Sequence, residues 1–302
     1  MFKSKNSMSR ALVRQETTAG YLFLLPSLFF FVTFVLYPMF LCIYTSFFDS
    51  NMGKNAVDVF VGLGNYKELF QDKLFLGALK NTVVIVVVAV PTVCAFSLWV
   101  ATAIYDMKPA LTSAFRCIFY LPVVTGSVAV TVVWKWMYNS RYGVFNYLFK
   151  SLGIIDQNIN WLGDARFALW CIILILFTTS VGQPIVLYVS ALGNVDHSLV
   201  EAAQVDGANR RQVFWKIKWA QIMPTTLYIL IITTINSFQC FALIQLLTSG
   251  GPTHSTDTIM YYIYYTAFKL YRYGYGNAMG VVLMIIIAVL SAVQFKLGQQ
   301  SD

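Results

Sequence analysis

Residues 79–104 read LKNTVVIVVVAVPTVCAFSLWVATAI, a run rich in Val and Ala with charge only at Lys80. Crossing about 30 Å of hydrocarbon takes roughly 20 helical residues, so this run is long enough to span a bilayer. Its continuous apolar character favours a helix, since a barrel strand would alternate over about ten residues. Working outward, five further runs have the same length and character: residues 21–48, 114–138, 167–192, 222–247 and 277–297. Several contain helix breakers, namely Pro26, Pro38, Pro122, Gly126, Gly182 and Pro184. Prolines are tolerated inside membrane spans because neighbouring helices re-satisfy the freed backbone groups. The sequence therefore predicts an all-α membrane protein with six transmembrane helices.

Composition agrees. The 302 residues are 58% hydrophobic and 11% charged, whereas a soluble domain carries about 25% charged residues. A chain so poor in charge requires lipid to solvate much of it. The net charge of +8 reads as basic loops rather than a nucleic-acid patch. Lys3, Lys5, Arg10 and Arg14 near the start, and Arg210, Arg211, Lys216 and Lys218 after the fourth run, fall on one side of a six-span chain. The positive-inside rule then places both termini in the cytoplasm. The opposite loops hold Lys54, Lys67, Lys73, Arg141, Lys150, Lys269 and Arg272 with accompanying acids, so the bias is mild. The first apolar run is too long for a signal-peptide core and reads as a span that also targets the chain.

Residues 201–217 read EAAQVDGANRRQVFWKI. Leu199 and Ala203 are four apart, and Phe214 and Ile217 three apart, both helical spacings. Gly207 between the two stretches predicts a break. Glu201 and Asp206 are expected near a helix start, where negative charge suits the dipole. A short interfacial helix joining two spans would satisfy this pattern equally well.

The same stretch resembles the EAA loop of importer-type ABC permeases, of the form E-A-A-x-x-D-G-A-x-x-x-x-x-F-x-x-I. Glu201, Ala202, Ala203, Asp206, Gly207, Ala208, Phe214 and Ile217 meet every fixed position. The family pattern continues with Leu-Pro where this chain has Trp219-Ala220, and Pro224 follows. Other stretches are similar to the carbohydrate-uptake branch, which includes the maltose, glycerol-3-phosphate and multiple-sugar permeases. They are Leu24-Leu25-Pro26, Tyr37-Pro38 and Ser46-Phe47; residues 60–66 with Asn81-Thr82; Leu121-Pro122, Trp134, Gly143 and Asn146; and residues 243–248 before Gly250-Gly251-Pro252. The chain looks like the larger maltose permease half without its big external domain.

The resemblance implies a type I ABC importer permease fold in the bacterial plasma membrane. It implies a cytoplasmic tail at residues 1–19, a transmembrane domain at 20–302, and a coupling loop at 193–221 whose eight matched residues dock on an ATPase. The implied partners are a second homologous permease, a dimer of ATP-binding subunits and an extracytoplasmic solute-binding protein. The cargo would be a sugar or oligosaccharide, or alternatively glycerol-3-phosphate or another polyol-type solute. No Gly-x-x-x-x-Gly-Lys-Ser/Thr phosphate loop is present, so ATP and Mg belong to the partner subunits and no cofactor is expected in this chain.

Polar residues within spans are costly and mark functional sites. In the fourth span these are Thr178, Thr179, Ser180 and Gln183; in the fifth, Thr233, Thr234, Asn236, Ser237 and Gln239. Helix–helix hydrogen bonding is one use for them. A solute cavity is the other, with Ser180, Gln183, Thr233, Ser237 and Gln239 as candidates and Phe238 and Trp134 as apolar ring contacts. Neutral donors and acceptors suit a neutral polyol, whereas an anion would ask for Arg or Lys. Seven tyrosines between Tyr261 and Tyr275 read as an interfacial belt or as a platform for a partner or sugar rings. Cys42, Cys94, Cys117, Cys171 and Cys240 are scattered through apolar runs and read as packing residues, and His197 and His254 as solvated loop residues. The sequence offers no nucleophile, base or metal set for a membrane enzyme, and no inverted repeat or intramembrane charge chain for a self-sufficient carrier.

Overall fold

In the computed structural model, residues 3–50 and 58–299 are described, with side chains over 13–50 and 58–298. Lys54, one of the basic loop residues, lies outside the described residues, as do the side chains of Lys3, Lys5 and Arg10. Among the described residues, five helices are long and apolar enough to cross a membrane: Val13–Thr45, Lys73–Tyr105, Ala168–Gly193, Arg210–Leu247 and Tyr273–Gly298. A sixth apolar segment is bent. Helices Pro109–Val124 and Ser127–Met137 meet at 95°. In chain order these are called the first to sixth segments.

The bend divides the single helix expected over 114–138 at the breakers noted there. Pro122 lies in the last turn of the first helix, Thr125 is extended, and Gly126 opens the second. A proline lacks the N–H that would continue the ladder. The first segment also ends sooner than expected, at Thr45. It is helical from Lys3, without a break at residue 19, and passes through a π-turn at Val32–Leu36 just before Pro38. Phe48, expected inside the span, instead belongs to a two-residue strand, Phe48–Asp49, antiparallel to Val59–Phe60, with Phe48 opposite Phe60.

Four short helices decorate the segments: Gly64–Gln71, Val144–Ser151, His197–Val205 and Ile259–Phe268. The central core joins the second, fourth and fifth segments through Val93, Ala101, Ile185, Tyr188, Ile222 and Ile229. Between lipid-facing helices such contacts act through close packing, because lipid tails are as apolar as leucine. Gly182 is the tightest point: a Cβ there would sit 2.3 Å from the backbone oxygen of Phe119. Only glycine lets the fourth segment press so closely against helix Pro109–Val124. The first segment meets the sixth near its end, where Asn277 donates to Thr45 Oγ1 at 2.7 Å, but its most apolar stretch is not buried by the described residues.

The end of the bundle that carries residues 46–72 and 248–277 is tied by long-range polar contacts. Buried Asn65 donates to the carbonyls of Ser46 (2.8 Å) and Phe48 (2.9 Å). The hydroxyls of Tyr262 and Tyr275 donate to one oxygen of Asp72 at 2.7 and 2.9 Å. Arg272 grips Glu68 with two nitrogens, at 2.7 and 2.8 Å. The tyrosine cluster is thus not simply a belt: Tyr261, Tyr262 and Tyr275 are buried, and their hydroxyls hold the loop and helix ends together, Tyr261 through the Ser249 carbonyl at 2.8 Å. His254 is the exposed loop residue expected, and it also has a partner. Its Nδ1 lies 2.7 Å from Asp257 Oδ2, and that aspartate is 1% exposed.

Candidate coupling loop and solute cavity

The loop between the fourth and fifth segments is built by caps written into its sequence. Asp196 caps helix His197–Val205 by accepting the Ser198 N–H at 2.9 Å. At the far end the Gly207 N–H reaches the Gln204 carbonyl at 3.0 Å, and the Ala208 N–H reaches back to Ala203 at 2.9 Å. With Gly207 at φ +82°, this pair of bonds is a Schellman motif, which needs a left-handed residue just past the helix end. Ala203 and Ala208 are its two apolar contact positions, and both are half-buried. The break expected at Gly207 is there, and its geometry explains the small residues on either side.

Asn209 then opens the next helix with a capping box. It accepts the Gln212 N–H at 2.9 Å, while its own N–H donates to Gln212 Oε1 at 2.8 Å. The Asn-x-x-Gln spacing announces this box in the sequence. Helix Arg210–Val213 runs through a π-turn, Phe214–Lys218, into Trp219–Phe238. The Trp219-Ala220 pair starts the main helix without a break. Trp219 packs against the central core, and Lys218 lies over the Tyr105 ring at 5.3 Å. Val213 is buried and Phe214 and Ile217 half-buried, so these three anchor the loop.

Two expectations about the acids need correcting. Neither Glu201 nor Asp206 stands at a helix start. Glu201 is in mid-helix, and Asp206 is the C-cap of His197–Val205. There it faces the negative end of the helix dipole, an arrangement that costs about 0.3–1 kcal/mol. The reason is the order of signals: Gly207 ends one helix, and Asn209, not Asp206, starts the next. Glu201, Ala202, Asp206 and Gly207 are all exposed. So are Leu199 and Val205, the latter 87% exposed. The loop therefore presents apolar and acidic groups on one short rod fixed at its base. A single longer bond, from the Asp196 N–H to Gln221 Oε1 at 3.0 Å, ties that base to the fifth segment.

Polar span residues converge where the fourth and fifth segments meet. Thr179, Ser180, Gln183, Tyr228, Thr233 and Asn236 line a cavity of about 150 Å³. Gln239 lines an adjoining cavity of about 320 Å³ that shares Thr179 and Val123 with the first. Three of the five sequence candidates thus meet, and a fourth is next door. Ser237, 2% exposed, lines neither cavity. Thr178 and Thr234 serve the helices: Thr178 bonds the Ile175 carbonyl at 2.8 Å, and Thr234 accepts from Gln294 of the sixth segment at 2.9 Å. Phe238 is buried among the second and sixth segments, and Trp134 stacks on Phe145, so neither gives the cavity a ring. Tyr228 does, a residue that sequence reasoning missed because nothing in its neighbourhood sets it apart.

A bundle of apolar helices with a rigid, capped loop projecting between its fourth and fifth segments is the architecture of a membrane transport component. The chain belongs to the family of binding-protein-dependent transport system inner membrane components, which matches residues 75–299. A probable ABC transporter permease of Bacillus subtilis, YesP, is 33% identical over 94% of this chain and 91% of its own length. The lactose transport system permease LacF of Rhizobium radiobacter is 32% identical, covering 94% of this chain and 95% of that protein. The multiple sugar-binding transport permease MsmF of Streptococcus mutans is 32% identical over 94% and 96%. Among solved structures, a bacterial ABC transporter that imports the acidic polysaccharide alginate contains a chain sharing this fold. Its TM-score is 0.81 at 23% identity, over 97% of this chain and 99% of that one.

Proposed function

We propose that this chain is the membrane-spanning subunit of an ATP-driven importer that moves a sugar or oligosaccharide across the plasma membrane by alternating access. In this reading the six segments are spans with both termini cytoplasmic. Residues 1–19 are the cytoplasmic N-terminal tail, 20–302 the permease domain, and 193–221 the coupling loop. A dimer of ATP-binding subunits grips the loop, a second homologous permease completes the cavity, and an extracytoplasmic binding protein delivers the solute. ATP and Mg act on the partner subunits.

The observation that carries this reading is the coupling loop. Natural sequences are locally consistent except at functional sites. Asp206 breaks the dipole rule and Leu199 and Val205 break the burial rule, all on one rod whose own caps are complete. A docking cleft with basic and apolar lining would compensate both. Glu201, Ala202 and Asp206 would meet the cleft, while Ala203, Gly207 and Ala208 shape the rod and Phe214 and Ile217 transmit its movement to the fifth segment. Ser180, Gln183 and Thr233, with Gln239 beside them, would meet the solute.

The test is co-purification with the ATP-binding subunits, followed by uptake in reconstituted vesicles. Glu201→Lys is expected to abolish ATP-driven uptake while leaving membrane insertion intact. A loop that binds no ATPase in any nucleotide state would overturn the reading.

A further inference from the structure

The third segment carries a cation beside the solute cavity. Arg116 sits seven residues into helix Pro109–Val124, about 10 Å along the helix axis from its first residue. Its Nε is buried and has no hydrogen-bond partner among the described residues. No carboxylate of the described residues forms an ion pair with it. A guanidinium at membrane depth is costly and normally pairs with an acid or a carbonyl. The described residues supply neither to that nitrogen.

The surroundings connect Arg116 to the solute cavity. It lines a space of about 460 Å³ together with Cys117, Tyr120, Gln183, Val186 and Leu187. Gln183 and Leu187 also line the cavity that holds Ser180 and Thr233. The close crossing at Gly182 fixes this neighbourhood, because it presses the turn bearing Gln183 against the helix bearing Arg116. Cys117 and Tyr120 are exposed on the same face. A solute leaving the hydroxyl- and amide-lined cavity past Gln183 would therefore meet a planar guanidinium that no carboxylate of the described residues neutralises.

We propose that Arg116 is the charge-recognising residue of the solute route, and that the transported sugar carries an anionic group, a carboxylate or a phosphate ester. This rests on the importer reading above and revises the neutral cargo expected from sequence. The guanidinium fork matches both anions bidentately. Gln183 stands at the junction to hold the adjoining hydroxyls.

The experiment uses the complete transporter in vesicles: this chain, the second permease, the ATP-binding pair and the binding protein. Uptake is measured for a uronate-ended disaccharide, a sugar phosphate and a neutral disaccharide. The expected result is ATP-driven uptake of one of the two anionic cargoes in preference to the neutral one, and the favoured arm identifies the anion. Arg116→Gln should lower that uptake by roughly 30-fold or more, as truncating one partner of a buried charge pair does, with binding-protein-stimulated ATP hydrolysis retained. Arg116→Lys, which keeps the charge without the fork, should fall between the two. Preference of the wild type for the neutral disaccharide would overturn the inference whatever the variants do. So would unchanged anionic uptake by Arg116→Gln, including the case where that variant loses only co-purifying anionic lipid. Absence of ATP-driven uptake for every sugar would instead overturn the importer reading.

Discussion

At the candidate coupling loop, the bonds that shape residues 196–212 join partners two to five residues apart, as in Asp196–Ser198, Asn209–Gln212 and Ala208–Ala203, with the Asp196–Gln221 tie at the base as the exception. At the opposite end they join partners far apart in the chain. Tyr262 and Tyr275 reach Asp72 across 190 and 203 residues, and the Ile259 N–H reaches Thr82 Oγ1 across 177. Local bonds let the loop hold its own shape without help from distant parts of the chain. Long-range bonds hold one end of the bundle in a single arrangement. The difference teaches that the same bundle has a stiff cap at one end and a self-contained rod at the other. Changes at the rod should alter coupling with little loss of stability, and changes at the cap should do the reverse.

The sharpest way to break this comparison is Gly207→Pro. Proline fixes φ near −65° where the chain needs +82°. Coupled uptake should fall on the order of 10–100-fold, the range of coupling free energies between linked sites, while thermal unfolding of the bundle stays close to wild type. A large loss of melting temperature would show that the rod is not self-contained.

At the cap, Asp72→Ala leaves two buried tyrosine hydroxyls without their acceptor. The expected cost is about 1–3 kcal/mol for each, read as a lowered melting temperature in detergent, with ATP hydrolysis per folded complex unchanged. The same aspartate sets a pH dependence. Burial raises its carboxyl, but the hydroxyls of Tyr262 and Tyr275 and the N–H groups of Leu74 and Phe75 outweigh that and hold it below its ordinary value. A carboxyl lowered by folding stabilises above its unfolded pKa of about 4, and that contribution is lost as pH falls. Melting scans of the wild type should therefore weaken below about pH 4 more steeply than those of Asp72→Asn. Parallel scans would mean that the tyrosines do not hold the charged form.

The smallest expected effect belongs to Asn209→Ala, which removes the capping box for about 1 kcal/mol. It should lower uptake modestly and leave the cap untouched. An unfolding transition confined to residues near 209, seen by hydrogen exchange, would sharpen the contrast between the two ends.

Much was legible in the sequence because the relevant forces are local or one-dimensional. Apolar runs long enough to cross hydrocarbon marked all six segments, and Gly207 marked the break in the loop. Placement failed where long-range packing decided. Thr233 and Ser237 share a helical face, yet the fourth segment leaves a cavity only beside Thr233. The bend at Thr125–Gly126 needed coordinates as well, because a proline and a glycine in a span signal a weak point without setting an angle.

By itself the sequence determined that the chain is a helical membrane protein with a capped loop, since hydrophobic length and cap residues act through neighbours in the chain. Only the tertiary structure decided which polar groups face a cavity, which tyrosines are buttresses, and that Arg116 and Gln183 line the same space. Those facts depend on which helices approach closely, and at Gly182 that approach is set by a missing side chain meeting a backbone far away in sequence.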